Sequence, residues 1–306
     1  MWTCMDRSGI RGAWSAVASM LILVSLAGCK PKDIEVKPPP LPANAPSRQA
    51  LLAAHNERAA RLATTYSDGV IELRWNDEHG RHSEQGDLEL WQTTGNRTAA
   101  RISKIGDVKF WLGSSAEQWW LFDLLNNDAR VLHRGTHDQT AERLVALGVK
   151  PLALLDLLGI TALAEGTTAG GADAGAVTVD PDRGAWVIKG QGRGGPLRMH
   201  LSQADSLPVH IELLDAHGRV VAASDLSRYE SVPTPNTAVM ARPKMPRTVD
   251  IHLEESVEGD MAGDVKIALN QTVGEIDPKQ VERIFDLDRL IAALRPDRIE
   301  QPRATP

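Results

Sequence analysis

Histidine pairs are the first residues to consider for chemistry in this chain, because imidazole binds metal ions and transfers protons. His133 and His137 are four residues apart, the spacing of two ligands on one helix face, but Gly135 lies between them and His133 ends a predicted strand. His79 and His82 lie in a polar turn without a cluster of cysteines or carboxylates around them. We interpret these four histidines as strand-end or solvated turn residues and expect no metal site.

A glycine-rich segment is the second candidate for chemistry. Residues 190–195 match the pattern G-x-G-x-x-G of dinucleotide-binding loops. Such a loop needs a helix directly after its glycines, whereas residues 196–201 alternate as a strand does, and Asp215, at the distance of an acidic ribose ligand, begins a tight turn. We therefore predict a hairpin loop.

Other catalytic patterns are missing from the sequence. It contains no H-E-x-x-H, G-x-S-x-G, S-x-x-K or P-loop pattern, and no pair of base and nucleophile stands out for a hydrolase. We expect that the protein is not an enzyme and that it binds no cofactor. The composition is that of a folded protein, with 42% hydrophobic and 24% charged residues, and the net charge of −6 argues against a general nucleic-acid binder.

The N-terminus has the pattern of a secretory signal. Arg7 and Arg11 precede an apolar stretch over residues 12–27, which at sixteen residues is shorter than the ~20 needed to span a bilayer. The stretch leads into Leu-Ala-Gly-Cys, which resembles the lipobox of bacterial lipoproteins. The resemblance implies cleavage before Cys29 and acylation of that cysteine. Because Cys4 is removed with the signal, we expect no disulfide within the chain.

The rest of the chain divides by composition. We predict a signal peptide over residues 1–28, the lipidated Cys29 with a proline-rich tether over residues 29–49, a folded domain over residues 50–295 and a flexible tail over residues 296–306. Several acyl chains make membrane attachment stable. Lys30 stands where an aspartate favours the inner membrane in enteric bacteria, so we expect a lipid-anchored envelope protein in the outer membrane, facing the periplasm.

Hydrophobic periodicity predicts two series of strands separated by helices. A helix over residues 51–65, ended by Asp68-Gly69, places His55 on its apolar stripe as a packed core histidine. Six short strands follow before residue 134, then helices over residues 140–147 and 151–158, a flexible loop over residues 165–175, a second strand series to residue 270, and helical pieces over residues 278–295.

These elements predict an α+β fold. A curved, mainly antiparallel sheet forms an unclosed half-barrel, and helices cover its concave face. Two domains divided near residue 166 are the alternative to one continuous sheet.

Apolar side chains are the remaining feature to interpret. A leucine-rich cover over residues 152–163 would lie above the inward face of the first strand series. A sheet curved around a loosely fitting helix leaves an apolar cavity suited to acyl chains, whereas a tight fit gives an ordinary core, and periodicity leaves both open. The predicted ligand-binding residues are Ile71, Leu73, Leu88, Leu90, Ile102, Phe110, Leu112, Trp120, Phe122, Leu154 and Leu158.

Four segments within residues 51–270 read RISKIG from Arg101, FWLGS from Phe110, EQWWL from Glu117 and LPVHIELLDAHGRV from Leu207. In this order they resemble the strands of the bacterial LolA/LolB-like superfamily of outer-membrane lipoprotein carriers and acceptors. The resemblance implies an unclosed half-barrel with helices plugging its concave face. It also implies binding of lipoprotein acyl chains during transport to the outer membrane.

The sequence departs from that superfamily in two places. The acceptor has an apolar loop that touches the membrane, but the turn at residues 114–116 is polar here. The carrier has a functional arginine, for which Arg97 and Arg101 are candidates only by their strand.

We therefore predict a membrane-anchored envelope lipoprotein that binds acyl chains or another lipid in an apolar half-barrel cavity, for lipoprotein or lipid trafficking to the outer membrane. Its partners would be lipid or lipoprotein acyl chains, the membrane and an envelope protein. The alternative is a non-catalytic adaptor, in which exposed Trp91, Trp111 or Trp119 forms a docking patch for a protein partner.

Overall fold

The structure, a computed structural model, describes residues 41–77, 80–95, 97–126, 129–136, 151–164, 176–215, 217–235, 237–254 and 263–301. Within these ranges the helices are α1 (Arg48–Arg61), α2 (Pro151–Leu157), α3 (Pro278–Phe285) and α4 (Leu287–Leu294), and Val239–Ala241 form a 3₁₀ turn. The strands are β1 (Thr65–Asp77), β2 (Gly80–Thr93), β3 (Arg97–Lys104), β4 (Asp107–Ser114), β5 (Gln118–Asp123), β6 (Val131–Thr136), β7 (Thr178–Asp180), β8 (Ala185–Gln191), β9 (Pro196–Ser202), β10 (Pro208–Leu214), β11 (Val220–Ser231), β12 (Lys244–Leu253), β13 (Gly263–Val273) and β14 (Arg298–Glu300).

All the described strands belong to one sheet. Their order is β14-β6-β5-β4-β3-β2-β1-β13-β12-β11-β10-β9-β8-β7. Neighbouring strands are antiparallel, except that β14 runs parallel to β6. Because β14 and β7 are the two edges and do not pair with each other, the sheet is unclosed, and the predicted continuous, mainly antiparallel sheet is confirmed.

Helix α2 shows how strongly this sheet bends. α2 contacts both β4 and β10, which lie seven strand-to-strand steps apart in the sheet. Laid flat, seven steps would cover about 34 Å at ~4.8 Å each. The seven residues of α2 form a helix only about 10 Å long. The sheet must therefore curl around α2, and we call the surface that faces α2 the concave face and the other surface the convex face.

Each face carries its own apolar cluster. The concave cluster joins α1 and α2 to both strand series and includes Leu62 and Leu157. The convex cluster packs α3 and α4 on the first strand series and includes Trp91, Phe285 and Leu290. Since both faces are covered near β5, that strand is apolar on both sides, as the sequence predicts for a doubly covered strand.

Polar side chains start the helices that cover the two faces. The hydroxyl of Ser47 accepts the backbone N–H of Ala50 at 3.1 Å and caps α1. The carboxylates of Asp277 and Asp286 cap α3 and α4 in the same way. The helical pieces predicted near the C-terminus are thereby confirmed as two short helices joined at Asp286.

One predicted helix stop is wrong. α1 ends at Arg61, and β1 runs straight through Asp68-Gly69, where the pairing with β13 shifts by a bulge. A Cβ atom on Gly69 would lie 2.3 Å from the carbonyl oxygen of Ala268. The glycine therefore permits the close approach of β13 instead of ending a helix.

The C-terminal tail is also more ordered than predicted over part of its length. Arg298–Glu300 form the edge strand β14. The carboxylate of Asp297 accepts the backbone N–H of Arg130 at 2.9 Å, and the Arg130 guanidinium donates to the carbonyl of Leu294 at 3.2 Å. These bonds hold the chain beside β6, which gives β14 a partner.

Several predictions concern residues that the structure does not describe. They are the signal peptide, Cys29, the first part of the tether, His79, His137, the helix over residues 140–147 and the loop over residues 165–175. In the described part of the chain, no helix has both the length and the apolar character needed to cross a membrane.

Candidate functional site

Nine of the eleven predicted ligand-binding residues lie on the concave face. Antiparallel pairing aligns them in rows across the strands, so that Leu88 stands opposite Ile102 and Ile102 opposite Phe110. Seven are buried in the concave cluster: Ile71, Leu88, Leu90, Ile102, Phe110, Leu112 and Leu158. Leu73 and Leu154 are partly buried and pack against that cluster. Ligand binding by these residues stays a prediction.

Trp120 and Phe122 are not on this face. Both lie in the convex cluster, where the Trp120 ring meets the ring of Phe285 edge-on. The pairing of Leu112 with Leu121 decides the orientation, because directly opposite residues share a face. Trp119 and Leu121 therefore point to the concave face. The expectation that Trp120 and Phe122 line the concave face is wrong.

The leucine cover itself occupies the concave face. Leu157 and Ile160 have no exposed surface, and Leu155 and Leu158 are 2% exposed. Gly159 lies between them with positive φ, and a Cβ there would come within 3.2 Å of Ile211 on the sheet. In the described conformation the segment after Pro151 thus fills the space in which the sequence predicts a ligand.

One acidic residue interrupts the leucine run and anchors it. Asp156 has no exposed surface, and its two carboxylate oxygens accept the Thr161 hydroxyl and the Gly194 backbone N–H, each at 2.6 Å. Burial raises the pKa of Asp156, although these hydrogen bonds and the nearby Arg193 oppose the rise. Asp156 therefore fixes α2 to the loop between β8 and β9.

That loop is the glycine-rich segment that the sequence predicts as a hairpin, and the prediction is confirmed. β8 and β9 pair up to Gln191 and Pro196, and no helix follows the glycines. A Cβ on Gly194 would lie 2.4 Å from the Cβ of Ala153, and one on Gly192 would lie 2.5 Å from an oxygen of Asp156. The glycines allow α2 to pack directly on the hairpin.

Helix α1 holds the segment after α2 through three polar side chains, of which His55 and Arg58 are buried and Asn56 is half-buried. The amide of Asn56 both donates to and accepts from the backbone of Leu163, at 2.9 and 2.8 Å. Nε2 of His55 lies 2.8 Å from the carbonyl oxygen of Thr161, and the Arg58 guanidinium donates to the carbonyl of Gly159.

His55 is a packed core histidine, as the sequence predicts, with 1% of its surface exposed. Burial, followed by the positive charge of Arg58, lowers its pKa to about 4, against the opposing hydrogen bond to Thr161. His55 is therefore neutral at pH 7. In this state Nε2–H donates to Thr161, and Nδ1 faces the guanidinium of Arg58 at 3.4 Å.

Two of the three tryptophans predicted as a docking patch are buried. Trp91 is 2% and Trp119 5% exposed, so the aromatic patch of the adaptor hypothesis is wrong for these residues. Trp111 is half-buried and stacks on Trp91 at 6.2 Å between ring centroids. The Arg101 guanidinium lies over both rings, and Arg97 lies over Phe285. Both candidate arginines thus lie over aromatic rings on the convex face.

The anchors Asn56, Arg58, Asp156 and Thr161 were not predicted from the sequence. Asp156 gave the only local signal, as a single acid in a leucine-rich run. The partners of Asn56 and Arg58 lie 101 or more residues away in the chain, so no local pattern reveals them.

Comparison with known proteins gives likenesses of structure. No protein-family model matches this chain, and no curated protein matches it. An outer membrane lipoprotein-sorting protein domain from Vibrio parahaemolyticus matches with 10% identity and a TM-score of 0.48, over 76% of this chain and 96% of that chain.

Two further solved structures match over similar lengths. A LolA superfamily protein from Nitrosomonas europaea has 12% identity and a TM-score of 0.46, over 78% of this chain and 97% of that chain. The MucA/MucB complex from Pseudomonas aeruginosa has 12% identity and a TM-score of 0.21, over 77% of this chain and 96% of that chain. The solved structures that match this chain thus include a LolA superfamily protein, from the superfamily that four segments of the sequence resemble.

Proposed function

We propose that this protein is a lipid-anchored envelope lipoprotein whose concave face binds an acyl chain in place of α2. The lipid is held by apolar burial, without a catalytic group. Cys29 supplies the membrane anchor, and the outer membrane facing the periplasm is the proposed location. Lipoprotein or lipid trafficking to that membrane is the process that such binding would serve.

The chemistry of α2 is the observation that carries this proposal. The helix reads PLALLDL, and its one polar side chain is buried and bonded within the protein. A short, almost wholly apolar helix therefore lies inside a curled sheet as a hydrocarbon tail would. A ligand of the same chemistry competes for the same surface.

The energies of the two occupants are comparable. Burial of Leu155, Leu157, Leu158 and Ile160 contributes about 6–12 kcal/mol, at ~1.5–3 kcal/mol for each side chain. An acyl chain of about sixteen carbons gains about 12 kcal/mol, at ~0.8 kcal/mol for each buried CH₂. An exchange of one for the other is therefore close to balanced.

The polar anchors make the exchange reversible. Displacement of α2 moves Asp156 from an apolar interior into water. There the burial that raises the pKa of Asp156 is absent, so its carboxylate ionises more readily. The bonds from Asn56 to Leu163 and from Arg58 to Gly159 are lost on displacement and re-form when the lipid leaves. These contacts set the rate at which the concave face opens.

Lipid uptake by the purified protein tests the proposal. Native mass spectrometry after detergent-free purification should find co-purifying lipid, and a fluorescent fatty acid should bind with one molecule per chain. Asn56→Ala should take up the probe several-fold faster, because it frees the backbone of Leu163. Asn270→Ala, at an exposed asparagine, is the matched control and should behave as the wild type.

The proposal is wrong if the protein is consistently empty and takes up no probe. A single dominant protein partner found by crosslinking in cells, together with absent lipid, would favour the adaptor instead. The burial of Trp91 and Trp119 is the reason that we place the adaptor second.

The anchor has a separate test. Cys29→Ser removes the thiol that acylation requires. We expect the wild type in the outer-membrane fraction of a density gradient and the variant absent from that fraction. Equal outer-membrane association of the two proteins would contradict lipid anchoring at Cys29.

A further inference from the structure

We propose that His200, His210 and Glu212 form a binding site for one divalent transition-metal ion, with zinc as the ion that the ligand set suits. The site lies on the convex side of β9 and β10. It is independent of the proposed lipid-binding face.

The strand register brings the three residues together. His210 pairs directly with His200 across β9 and β10, so their side chains share a face. Glu212 follows His210 by two residues and lies on the same face of β10. Met199 and Ile211 belong to the concave cluster, so the two imidazoles face the other way. The rings are 5.0 Å apart and nearly perpendicular.

The donor atoms are close enough to share an ion. One donor atom from each residue lies within 4.8 Å of the other two. The Nε2 atoms of His200 and His210 lie 3.8 and 3.7 Å from the carboxylate oxygens of Glu212. Around a tetrahedral zinc with bonds of ~2.0–2.1 Å, neighbouring donors are about 3.4 Å apart. Side-chain rotations that bring the three donor atoms closer together, by up to about 1.4 Å for donors at the 4.8 Å limit, would close the site.

Each imidazole is already oriented by a second carboxylate. Nδ1 of His200 lies 2.9 Å from Asp180, and Nδ1 of His210 lies 2.8 Å from Asp225. An Nδ1–H that donates to a carboxylate leaves the lone pair of Nε2 free to ligate. This pairing of a carboxylate, a histidine and a metal recurs in zinc proteins, where it fixes the ring and makes Nε2 a better donor.

An imidazole nitrogen without a hydrogen bond faces an ion-paired carboxylate at the centre of the cluster. Nε2 of His200 and Oε2 of Glu212 are both buried and make no hydrogen bond. Nε of Arg198 lies 2.6 Å from Oε2, but neither atom makes a geometrically acceptable hydrogen bond. A cation between the imidazoles and the carboxylate would give Nε2 of His200 the partner that it lacks. Oε1 of Glu212, which faces His210, is available as the ligand atom.

The surrounding charges also suit a cation. Glu212, Asp180 and Asp225 are opposed by Arg198 and by Arg183, which lies 3.5 Å from Asp180 and 3.7 Å from Asp225. These three carboxylates and two guanidinium groups carry a formal net charge of −1. Two imidazoles and one carboxylate are a three-ligand set for zinc that keeps a fourth position for water.

The sequence prediction of no metal site rested on histidines close to one another in the chain. Here the two histidines are ten residues apart and meet only through the hairpin of β9 and β10. Their spacing therefore matches no local metal-binding pattern.

Metal titration of the purified, untagged full-length chain tests the site. Isothermal calorimetry should show one zinc ion per chain with a micromolar or lower Kd. Cobalt should give the visible absorption bands of a tetrahedral site. His200→Gln and His210→Gln should each weaken zinc binding at least 100-fold, while circular dichroism shows that both remain folded. His252→Gln is the matched control, since this exposed histidine also pairs with a carboxylate, Asp264, at 2.7 Å.

The wild-type measurement alone can overturn the inference. Absence of zinc binding below millimolar concentration, or of cobalt bands, would show that the cluster is only an ion-pair network. Zinc binding that His200→Gln and His210→Gln leave unchanged would place the ion elsewhere. Lipid uptake that fails while zinc binds would refute the proposed function and leave the metal site standing.

Discussion

Acidification should destabilise the fold through His55, because this imidazole is buried as a neutral group. Its pKa is 6.5 in an unfolded chain and about 4 in the folded protein. Between these values the unfolded chain binds more protons than the folded one, so stability is complete above pH 6.5 and is lost as the pH falls to about 4. The difference of about 2.5 pKa units corresponds to about 3 kcal/mol, at ~1.4 kcal/mol per unit.

The structural cause is local. A proton on Nδ1 would be forced against the guanidinium of Arg58, and a charged ring would have to stay in an apolar interior. The bond from His55 to Thr161 secures the segment after α2, so the loss should appear first as loosening of that segment.

The assay is urea denaturation of the wild type and of His55→Gln from pH 4 to pH 8. The glutamine amide can still donate to Thr161 but does not titrate. The carboxylates titrate in both proteins, so their effect cancels when the free energy of unfolding of the variant is subtracted from that of the wild type. The wild type should lose about 3 kcal/mol relative to His55→Gln on going from pH 7 to pH 4. His217→Gln, at an exposed turn, is the control. If the free energies of unfolding of the wild type and His55→Gln differ by the same amount at every pH in this range, the reasoning is refuted.

Four further substitutions test the packing of the layers and the strain of one turn. Gly194→Ala places a Cβ against Ala153 of α2 and should lower the free energy of unfolding by about 1–3 kcal/mol. Gly218→Ala, in open space, should lower it by only about 1 kcal/mol because of its positive φ, and equal losses in urea denaturation would contradict the packing argument. Leu158→Ala should cost about 2–5 kcal/mol, and a loss below 1 kcal/mol would mean that the leucine is not packed. Ile105 is 96% exposed in the β3–β4 turn, and its φ of 53° strains a β-branched residue. Ile105→Asn should therefore raise the midpoint of thermal unfolding, and a lower midpoint would show that no strain is released.

Much of the sheet could be predicted because alternation and turn residues are local signals. Which side chains of β5 face α2 could not be predicted, because four consecutive residues of the strand are apolar and either alternative buries two large side chains. These residues are Trp119, Trp120, Leu121 and Phe122. Only the pairing with β4 decides which two face α2. A short edge strand such as β14 likewise depends on a contact with Arg130, far away in the chain.

The concave face was predictable for the same reason, as rows of leucine and isoleucine on neighbouring strands. What fills that face was not. Periodicity shows that the leucine run is buried, but its fit to the sheet depends on Gly159, Gly192 and Gly194, whose missing side chains let the layers approach. The anchors Asn56 and Asp156 act through distant backbone atoms, and these contacts exist only once the sheet has curled.

Hydrogen exchange in α2, with and without bound lipid, tests the central claim most directly. Residues 151–163 should be protected in the lipid-free protein, because α2 and the residues after it are buried and anchored. If an acyl chain takes the place of α2, saturation with fatty acid should increase exchange in this segment and leave the convex helices α3 and α4 unchanged. Saturation with bound lipid that leaves residues 151–163 as protected as before would contradict the exchange of occupants.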